Sequence, residues 1–191
     1  MSYIANALQI VIEFGFGILI ALIVLRVLLQ LVRANFYNPI CQFLYKATNP
    51  LLMPFRRIIP AWRRVDLAGI VLAWLVSALK LILLAAVVGR FLGLAGLAIM
   101  AVADLAGFVL MLYLGLILAQ VLLSFVQIDR RHPLLPLIHQ LTEPVLKPIR
   151  RRLPTVAGLD FSPLVAWLVI LLARALLVQP LLDFGMRLAL G

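Results

Sequence analysis

Two Pro-x-Arg-Arg motifs are the parts of this sequence whose residue types and spacing could do chemistry. They occupy positions 54–57 and 148–151. Adjacent guanidinium groups present forked N–H donors that bind phosphate oxygens in pairs, and a preceding proline restricts where the backbone presents them. The motifs and their basic neighbours therefore predict an anion-binding surface. The residues assigned to it are Arg56, Arg57, Lys147, Arg150, Arg151 and Arg152.

The chain that carries these arginines has the composition of an integral membrane protein. Of its 191 residues, 65% are hydrophobic and only 13% are charged, and the mean hydropathy is +1.17. A soluble enzyme or a disordered chain of this composition is excluded, and the single cysteine, Cys41, excludes an internal disulfide framework. Four apolar segments reach the roughly 20 residues that a helix needs to cross the hydrocarbon core. These predicted spans cover about 8–32, 67–88, 105–126 and 163–182.

The regions beside the third and fourth spans are predicted from their glycines and prolines. Residues 90–104 are interpreted as a turn at the membrane surface, with an extra short helix as the alternative. Gln179 and Pro180 are predicted to end the fourth span, because proline cannot donate to the helical ladder. A short amphipathic tail would follow.

Basic residues are concentrated on one side of the predicted membrane. Two connecting segments, 33–64 and 130–152, hold six lysines and arginines each, which is 12 of the 17 in the chain. Lysine and arginine mark cytoplasmic loops, so both segments are predicted to be cytoplasmic and both termini periplasmic. The net charge of +10 is thereby explained without direct binding to nucleic acid.

A shift of 94 residues superposes the two halves of the chain. Between 38–66 and 132–160, nine of the 29 aligned positions are identical, the prolines and arginines among them. The predicted units are therefore residues 1–94 and 95–191. Each half holds two spans, so both insert with the same orientation, as a parallel duplication. The predicted fold class is an all-α integral membrane protein with four transmembrane helices and a core like that of a homodimer.

Each repeat contains a proline-rich amphipathic segment, at about 36–62 and 132–154. Apolar residues fall on one helical face of each segment and basic residues on the other. Such a segment is expected to lie in the membrane interface, where each basic residue contributes about 1 kcal/mol near an anionic surface. The prolines are expected to cut it into short turns. The alternative is that the arginines only set membrane orientation.

Five polar residues are predicted to cap helices. They are Asp66, Asp160, Ser162, Thr48 and Thr142. Asp66 and Asp160 immediately precede spans, where a carboxylate accepts from free backbone amides and meets the positive end of the helix dipole. A sharper hypothesis adds a salt bridge from each aspartate to Arg57 or Arg151.

Four charged residues lie within or near the predicted spans. Lys80 and Arg174 are related by the 94-residue shift, and both sit deep enough to need a partner or a path by which they snorkel to the interface. Their predicted partners are Glu13 for Lys80 and Asp104 for Arg174. The two histidines lack metal-ligand spacing, so neither a metal nor any other cofactor is expected.

The run from Thr142 to Arg151, followed by Pro154 and by Asp160-Phe161-Ser162-Pro163, resembles the signature of the YggT family of small integral membrane proteins. The pattern recurs in the first half, with Asn49 in place of the acidic residue. The resemblance implies a bacterial inner-membrane protein with no enzyme activity. Bacterial members are associated with osmotic-stress tolerance and potassium uptake, others with cell division, and plastid relatives with haem attachment to a cytochrome.

Three functions remain open from the sequence. The first is docking of the basic segments to anionic lipid or to a membrane or cytoplasmic protein, in osmotic-stress tolerance and membrane homeostasis. The second is transport of a small ion such as potassium, suggested by the charges within the spans. The third is a role in membrane assembly. A homo-oligomer is compatible with each of these.

Overall fold

The computed structural model describes residues 3–59, 65–125, 132–153 and 160–190. They are almost entirely helical. The elements are α1 Tyr3–Leu31, α2 Pro39–Ile58, α3 Leu67–Val87, α4 Leu94–Phe125, α5 Leu134–Arg150, α6 Ser162–Ala173, a π-helical segment Arg174–Val178, and α7 Gln179–Leu190. Predictions at Arg63, Arg64, Arg130, Arg131, Pro60 and Pro154, and the segment ends at 60–62, 126 and 154, lie outside the described residues.

Four helices are long and apolar enough to cross a membrane, by length and composition: α1, α3, α4 and the continuous helix Ser162–Leu190. The prediction of an all-α chain with four such helices is confirmed. The spans of α1 and α4 are longer than the sequence indicated, at 29 and 32 residues.

Each half of the chain has its own hydrophobic core, and the two cores are copies of one another. Buried Ile20, Ile23, Leu52, Leu72 and Val76 pack together in the first half. The residues 94 positions later, Leu114, Ile117, Leu146, Ala166 and Ile170, form the corresponding cluster in the second. The duplication predicted from the sequence is therefore confirmed in three dimensions, because each half carries its own copy of this cluster.

The prolines do not break α2 and α5, and the prediction of short turns is wrong. Pro50 and Pro54 lie inside α2, and Pro144 and Pro148 lie inside α5. Within each helix the two prolines are four residues apart, so they lie on one face, and all four are exposed. The backbone bonds lost to proline therefore fall on the open side of the helix, where other polar groups can satisfy the carbonyls.

Residues 94–104 form the first three turns of α4, so the predicted surface turn at 90–104 is wrong beyond residue 93. Its glycines serve close packing instead. A Cβ on Gly96 would come within 2.3 Å of the backbone nitrogen of Ala189 in α7, and one on Gly185 within 2.8 Å of the Met100 side chain. Small residues thus allow α4 and α7 to approach closely, as helices do in membranes.

Pro180 does not end the last helix, contrary to the prediction. The five residues Arg174–Val178 are π-helical, and the Gln179 N–H donates to the Arg174 carbonyl five residues earlier. This wider turn changes the backbone hydrogen-bonding register just before the proline. The helix therefore continues to Leu190.

The two proline helices, α2 and α5, lie at the same end of the bundle, called here the proline end. Asn38 Nδ2 donates to the Pro133 carbonyl at 2.7 Å, and Leu44 of α2 shares a buried cluster with Leu137 and Leu141 of α5. At mid-bundle the repeats are joined by α4, which packs against α3 and the first core.

Candidate functional site

Each proline helix is fastened to the start of the following span by an arginine–aspartate pair. Arg56 Nη2 lies 2.5 Å from Asp66 Oδ2, and Arg150 Nε lies 2.7 Å from Asp160 Oδ2. The two pairs are related by the 94-residue shift. Arg150 also contacts Glu143 at 3.1 Å, a bond that the first repeat lacks because Asn49 occupies the corresponding position.

These pairs differ by one residue from the predicted partners, Arg57 and Arg151, and that prediction is wrong. The reason is helical phase. Buried Thr48 and Leu52 define the inner face of α2, and Arg56 continues the same spacing of four residues toward α3, whereas Arg57 is turned about 100° away. The same phase selects Arg150 over Arg151 in α5.

The two aspartates also bond the backbone at the start of each span. Asp66 is the N-cap of α3 and accepts from the Gly69 N–H at 3.2 Å. Asp160 stands two residues before α6 and accepts from the Ser162 N–H at 2.9 Å. Ser162 is therefore the first residue of the helix and a donor to the aspartate, not itself the cap.

The environment of Asp160 favours its charged form. Burial by itself disfavours the charge, but hydrogen bonds from Ser162 and from the Arg150 guanidinium outweigh burial and hold the pKa of Asp160 below its ordinary value. The carboxylate is therefore ionised at neutral pH, as the ion pair requires.

A buried polar cluster lies where each proline helix crosses its span. In the first repeat, Arg26 of α1 donates from Nη1 to the Thr48 hydroxyl at 2.7 Å, and its guanidinium lies 4.5 Å from the centre of the Tyr45 ring. Arg26 is 6% exposed, and its Nη2 is buried without a hydrogen-bond partner. A cation is thus held inside the protein by a hydroxyl and a ring face.

The second repeat places a different polar cluster at the corresponding positions. Gln120, His139 and Thr142 replace Arg26, Tyr45 and Thr48. The Thr142 hydroxyl hydrogen-bonds to the side-chain oxygen of Gln120, whose nitrogen lies 3.5 Å from His139 Nδ1. The two repeats therefore share the geometry of this crossing but not its buried arginine.

Thr48 and Thr142 do not cap helices, and that prediction is wrong. Both lie in the middle of a continuous helix, where their hydroxyls lie 2.7 and 2.8 Å from the carbonyls of Leu44 and Ile138, four residues earlier. Both are fully buried. Sequence reasoning missed the role of Arg26. The available signal was that polar residues recur at three positions under the 94-residue shift.

Four of the six predicted anion-binding residues are free of internal partners. Among the described residues, Arg57, Lys147, Arg151 and Arg152 make no side-chain hydrogen bond or ion pair, and all four are exposed. Lys46 shares these properties. Arg56 and Arg150 are instead occupied by the aspartates. The structure thus separates arginines that hold the fold from arginines that face outward.

The charges within the spans pair differently from the prediction. Lys80 of α3 lies 2.7 Å from Asp104 of α4, and Ser77 donates to the same carboxylate at 2.5 Å. The predicted pairs, Glu13 with Lys80 and Asp104 with Arg174, are therefore wrong. Lys80 and Ser77 lie on the face of α3 that packs against α4, so they meet Asp104 rather than an acidic residue of α1.

Glu13 and Arg174 are left on the surface of the bundle. Both are exposed. Arg174 Nη1 lies 3.2 Å from the sulfur of Met111, a weak acceptor. Glu13 has no ion pair or hydrogen bond with another residue of the described ranges. Those ranges also contain no group of three or more histidine, cysteine or acidic side chains that could hold a metal ion.

The four apolar helices and the two repeat cores define a multi-pass helical membrane protein with an internal duplication. The family model CCB3/YggT matches the chain twice, over residues 5–87 and 99–181. The chain belongs to the CCB3/YggT family, in its tandem form.

Bacterial proteins resemble this chain over most of its length. The "Uncharacterized protein PA0392" of Pseudomonas aeruginosa is 40% identical over 162 residues, covering 84% of this chain and 82% of that protein. The "Uncharacterized protein in proC 3'region" of Vibrio alginolyticus is 37% identical over 182 residues, covering 90% and 94%. "Uncharacterized protein YggT" of Escherichia coli K12 is 38% identical over 152 residues, covering 78% and 77%. No solved structure matches the chain.

Proposed function

We propose that this protein is a non-enzymatic component of the bacterial inner membrane that binds anionic lipid headgroups through α2 and α5 and acts in osmotic-stress tolerance. The observation that carries the proposal is the division of labour among the arginines. Arg56 and Arg150 hold each proline helix against its span, and the next residues, Arg57 and Arg151, are left exposed in both repeats.

The prolines support this function through the face on which they lie. In α2, Lys46, Pro50, Pro54 and Arg57 recur at spacings that place them along one exposed side. In α5, Pro144, Lys147, Pro148 and Arg151 do the same. Such a face is basic and its backbone is rigid, so its guanidinium groups bind phosphate without the cost of ordering the main chain.

The membrane orientation follows from the charges at the proline end. We infer that this end is cytoplasmic and that both termini are periplasmic, since the basic residues gather there.

Substituting Arg152→Cys at the proline end and Arg90→Cys at the other end tests the orientation. A membrane-impermeant thiol reagent added to intact cells should label the Arg90→Cys variant only. Because burial raises the pKa of the Cys41 thiol, the native cysteine reacts slowly and serves as the background. Labelling of the Arg152→Cys variant from outside would reverse the orientation.

Ion transport is the competing function, and the pairing of the intramembrane charges weighs against it. Lys80 and Ser77 occupy the Asp104 carboxylate, so it offers no free oxygen pair to a cation. A cation path would need several such oxygens lining a pore. A potassium flux assay on proteoliposomes is the direct comparison: flux above that of protein-free vesicles would favour transport.

Lipid docking is tested by the stability of the purified protein with added lipid. Ligand binding to the folded state raises the unfolding temperature. Phosphatidylglycerol should raise it more than phosphatidylcholine for the wild-type protein. The double substitution Arg57→Gln and Arg151→Gln should abolish most of this difference, because the exposed guanidiniums that contact phosphate are gone.

The matched control removes two charges from the opposite end. Arg90→Gln with Arg187→Gln has the same net charge as the test variant and should keep the full response to phosphatidylglycerol. In a strain lacking the chromosomal gene, only the test variant should fail to restore survival at high osmolarity. If both double variants respond alike to phosphatidylglycerol, the exposed arginines are not a binding surface.

A further inference from the structure

The contact between α3 and α4 joins the two repeats within the spans, and copies of both of its faces recur on the surface. Inside the chain, α4 packs on the first core through Leu105, Phe108, Val109 and Leu112. Asp104, at the edge of this contact, bonds Ser77 and Lys80 of α3. Because of the duplication, α1 is the counterpart of α4, and α6 is the counterpart of α3.

The copy of the α4 half lies on α1 and is uncovered. The positions 94 residues before this face hold Ile10, Val11, Phe14, Gly15 and Ile18. The four larger side chains are between 47 and 70% exposed, and nothing lies within 4 Å of where a Cβ on Gly15 would be. The face of α4 thus packs against another helix, whereas the corresponding face of α1 does not.

The copy of the α3 half lies on α6 and the π-helical segment, and it is uncovered too. Trp74, Ser77 and Lys80 face α4 inside the chain. Their counterparts are Leu168, Leu171 and Arg174, all exposed. A true twofold rotation between the repeats would have brought α1 onto α6 of the same chain. The exposure of both faces means that the chain does not close on itself in this way.

We propose that a second copy of this chain covers these faces, with α1 of one copy packing on α6 of the other as α4 packs on α3. The identity of the partner is inferred from the interface between α3 and α4 inside the chain. The exposed face of α1 corresponds to the face of α4 that packs on α3, and the exposed face of α6 corresponds to the face of α3 that packs on α4. Both copies keep the same orientation in the membrane, because the operation that relates them is that of the parallel repeats.

The two unpaired charges complement one another across this contact. Arg174 takes the place of Lys80, and Ile10 takes the place of Asp104. Glu13 lies three residues beyond Ile10, about 60° around α1 outside the edge of the apolar face and about 4.5 Å along the helix. Side chains lean toward the N-terminus of their helix, and α1 and α6 run in opposite directions. Arg174 and Glu13 of different copies therefore lean toward each other and would neutralise two charges otherwise exposed to lipid.

Cysteine cross-linking between differently tagged copies tests the contact. In a Cys41→Ala background, Ile10→Cys is placed in one copy and Leu171→Cys in the other. These positions correspond to Asp104 and Ser77, which touch inside the chain. Oxidation in native membranes should join the two tags. The matched control replaces Leu171→Cys with Val169→Cys, whose counterpart Leu75 is exposed in the first repeat. It should cross-link at least about tenfold less.

Charge reversal separates this contact from random collision. Glu13→Arg or Arg174→Glu alone should reduce the cross-link yield several-fold, and the two reversals together should restore it. Equal cross-linking at positions 171 and 169 would overturn the proposal. So would efficient cross-linking between two copies that both carry Ile10→Cys, because that places α1 against α1. Indifference to single reversals would remove the ion pair from the contact.

Discussion

Lys80 Nζ lies 2.7 Å from both carboxylate oxygens of Asp104, and this ion pair joins the first repeat to the second. Ser77 donates to the same carboxylate one helical turn away. The lysine is buried. The pairing therefore offsets the cost that each charge would carry alone within a span.

The first prediction concerns the coupling of this pair. Lys80→Met and Asp104→Asn should each destabilise the protein, because each leaves the other group without its partner. The double variant should be more stable than the sum of the single effects predicts, with a coupling of about 1–3 kcal/mol. Unfolding in mixed detergent micelles measures all four species. Glu13→Gln is the matched control, and its effect should add to that of Lys80→Met without coupling.

The second prediction ranks the arginines of the proline helices. Arg56→Gln should cost roughly 3 kcal/mol, since it leaves the Asp66 carboxylate, 1% exposed, without its cation. Arg150→Gln should cost about 1 kcal/mol or less, because its partner Asp160 is 38% exposed. Arg57→Gln should stay within about 0.5 kcal/mol of wild type. Unfolding titrations of the three variants give the order, and an equal effect of Arg56→Gln and Arg57→Gln would contradict the assigned pairing.

A third prediction exchanges a buried side chain between the repeats. Arg26→Gln introduces the residue that the second repeat carries at this position and removes a buried guanidinium nitrogen that lacks a partner. The unfolding temperature should be unchanged or higher, because an amide can bond Thr48 at a lower desolvation cost. Arg26→Leu should be destabilising, since no polar group of α1 then reaches Thr48. A large loss of stability in Arg26→Gln would mean that the charge itself is required there.

The fourth prediction concerns the close approach of α4 and α7. Gly96→Ala should destabilise the protein by about 3 kcal/mol, at the upper end of overpacking effects, because the new methyl group meets backbone atoms of Ala189. Gly115→Ala, also in α4, has nothing within 4 Å and should be neutral or slightly stabilising. Thermal unfolding of the two variants in one detergent provides the comparison. Similar destabilisation by both would refute the packing role of Gly96.

A fifth prediction follows from the lowered pKa of Asp160. A carboxyl group whose pKa is lowered by folding contributes its full stability when the pH is above its ordinary pKa, near 3.8, and this stability is lost as the pH falls from there through the lowered pKa. Wild type should exceed Asp160→Asn in unfolding temperature by a constant amount from pH 7 to 5. The difference should then shrink as the pH is lowered to 3. A difference that grows on acidification would show that the ion pair is not what stabilises α6.

Much of the architecture was predictable from the sequence because membrane insertion depends on local composition. Apolar length gave the four spans, and the 94-residue shift gave the parallel duplication that the paired cores display. The Pro-x-Arg-Arg motifs also indicated where the basic residues of α2 and α5 lie. None of these features requires knowledge of which helices touch.

Partners and helix continuity depended on tertiary structure. The sequence could not decide between Arg56 and Arg57 as the partner of Asp66, since one residue of helical phase separates them and the phase is set by packing of Thr48 and Leu52. The depth of a charge along its span does not show which helix lies beside it. Lys80 was therefore assigned to Glu13 instead of Asp104. Pro180 could not be judged without the π turn before it. A one-dimensional pattern determines how far each residue lies along a helix, whereas contacts depend on rotation about the helix axis and on which helices are adjacent.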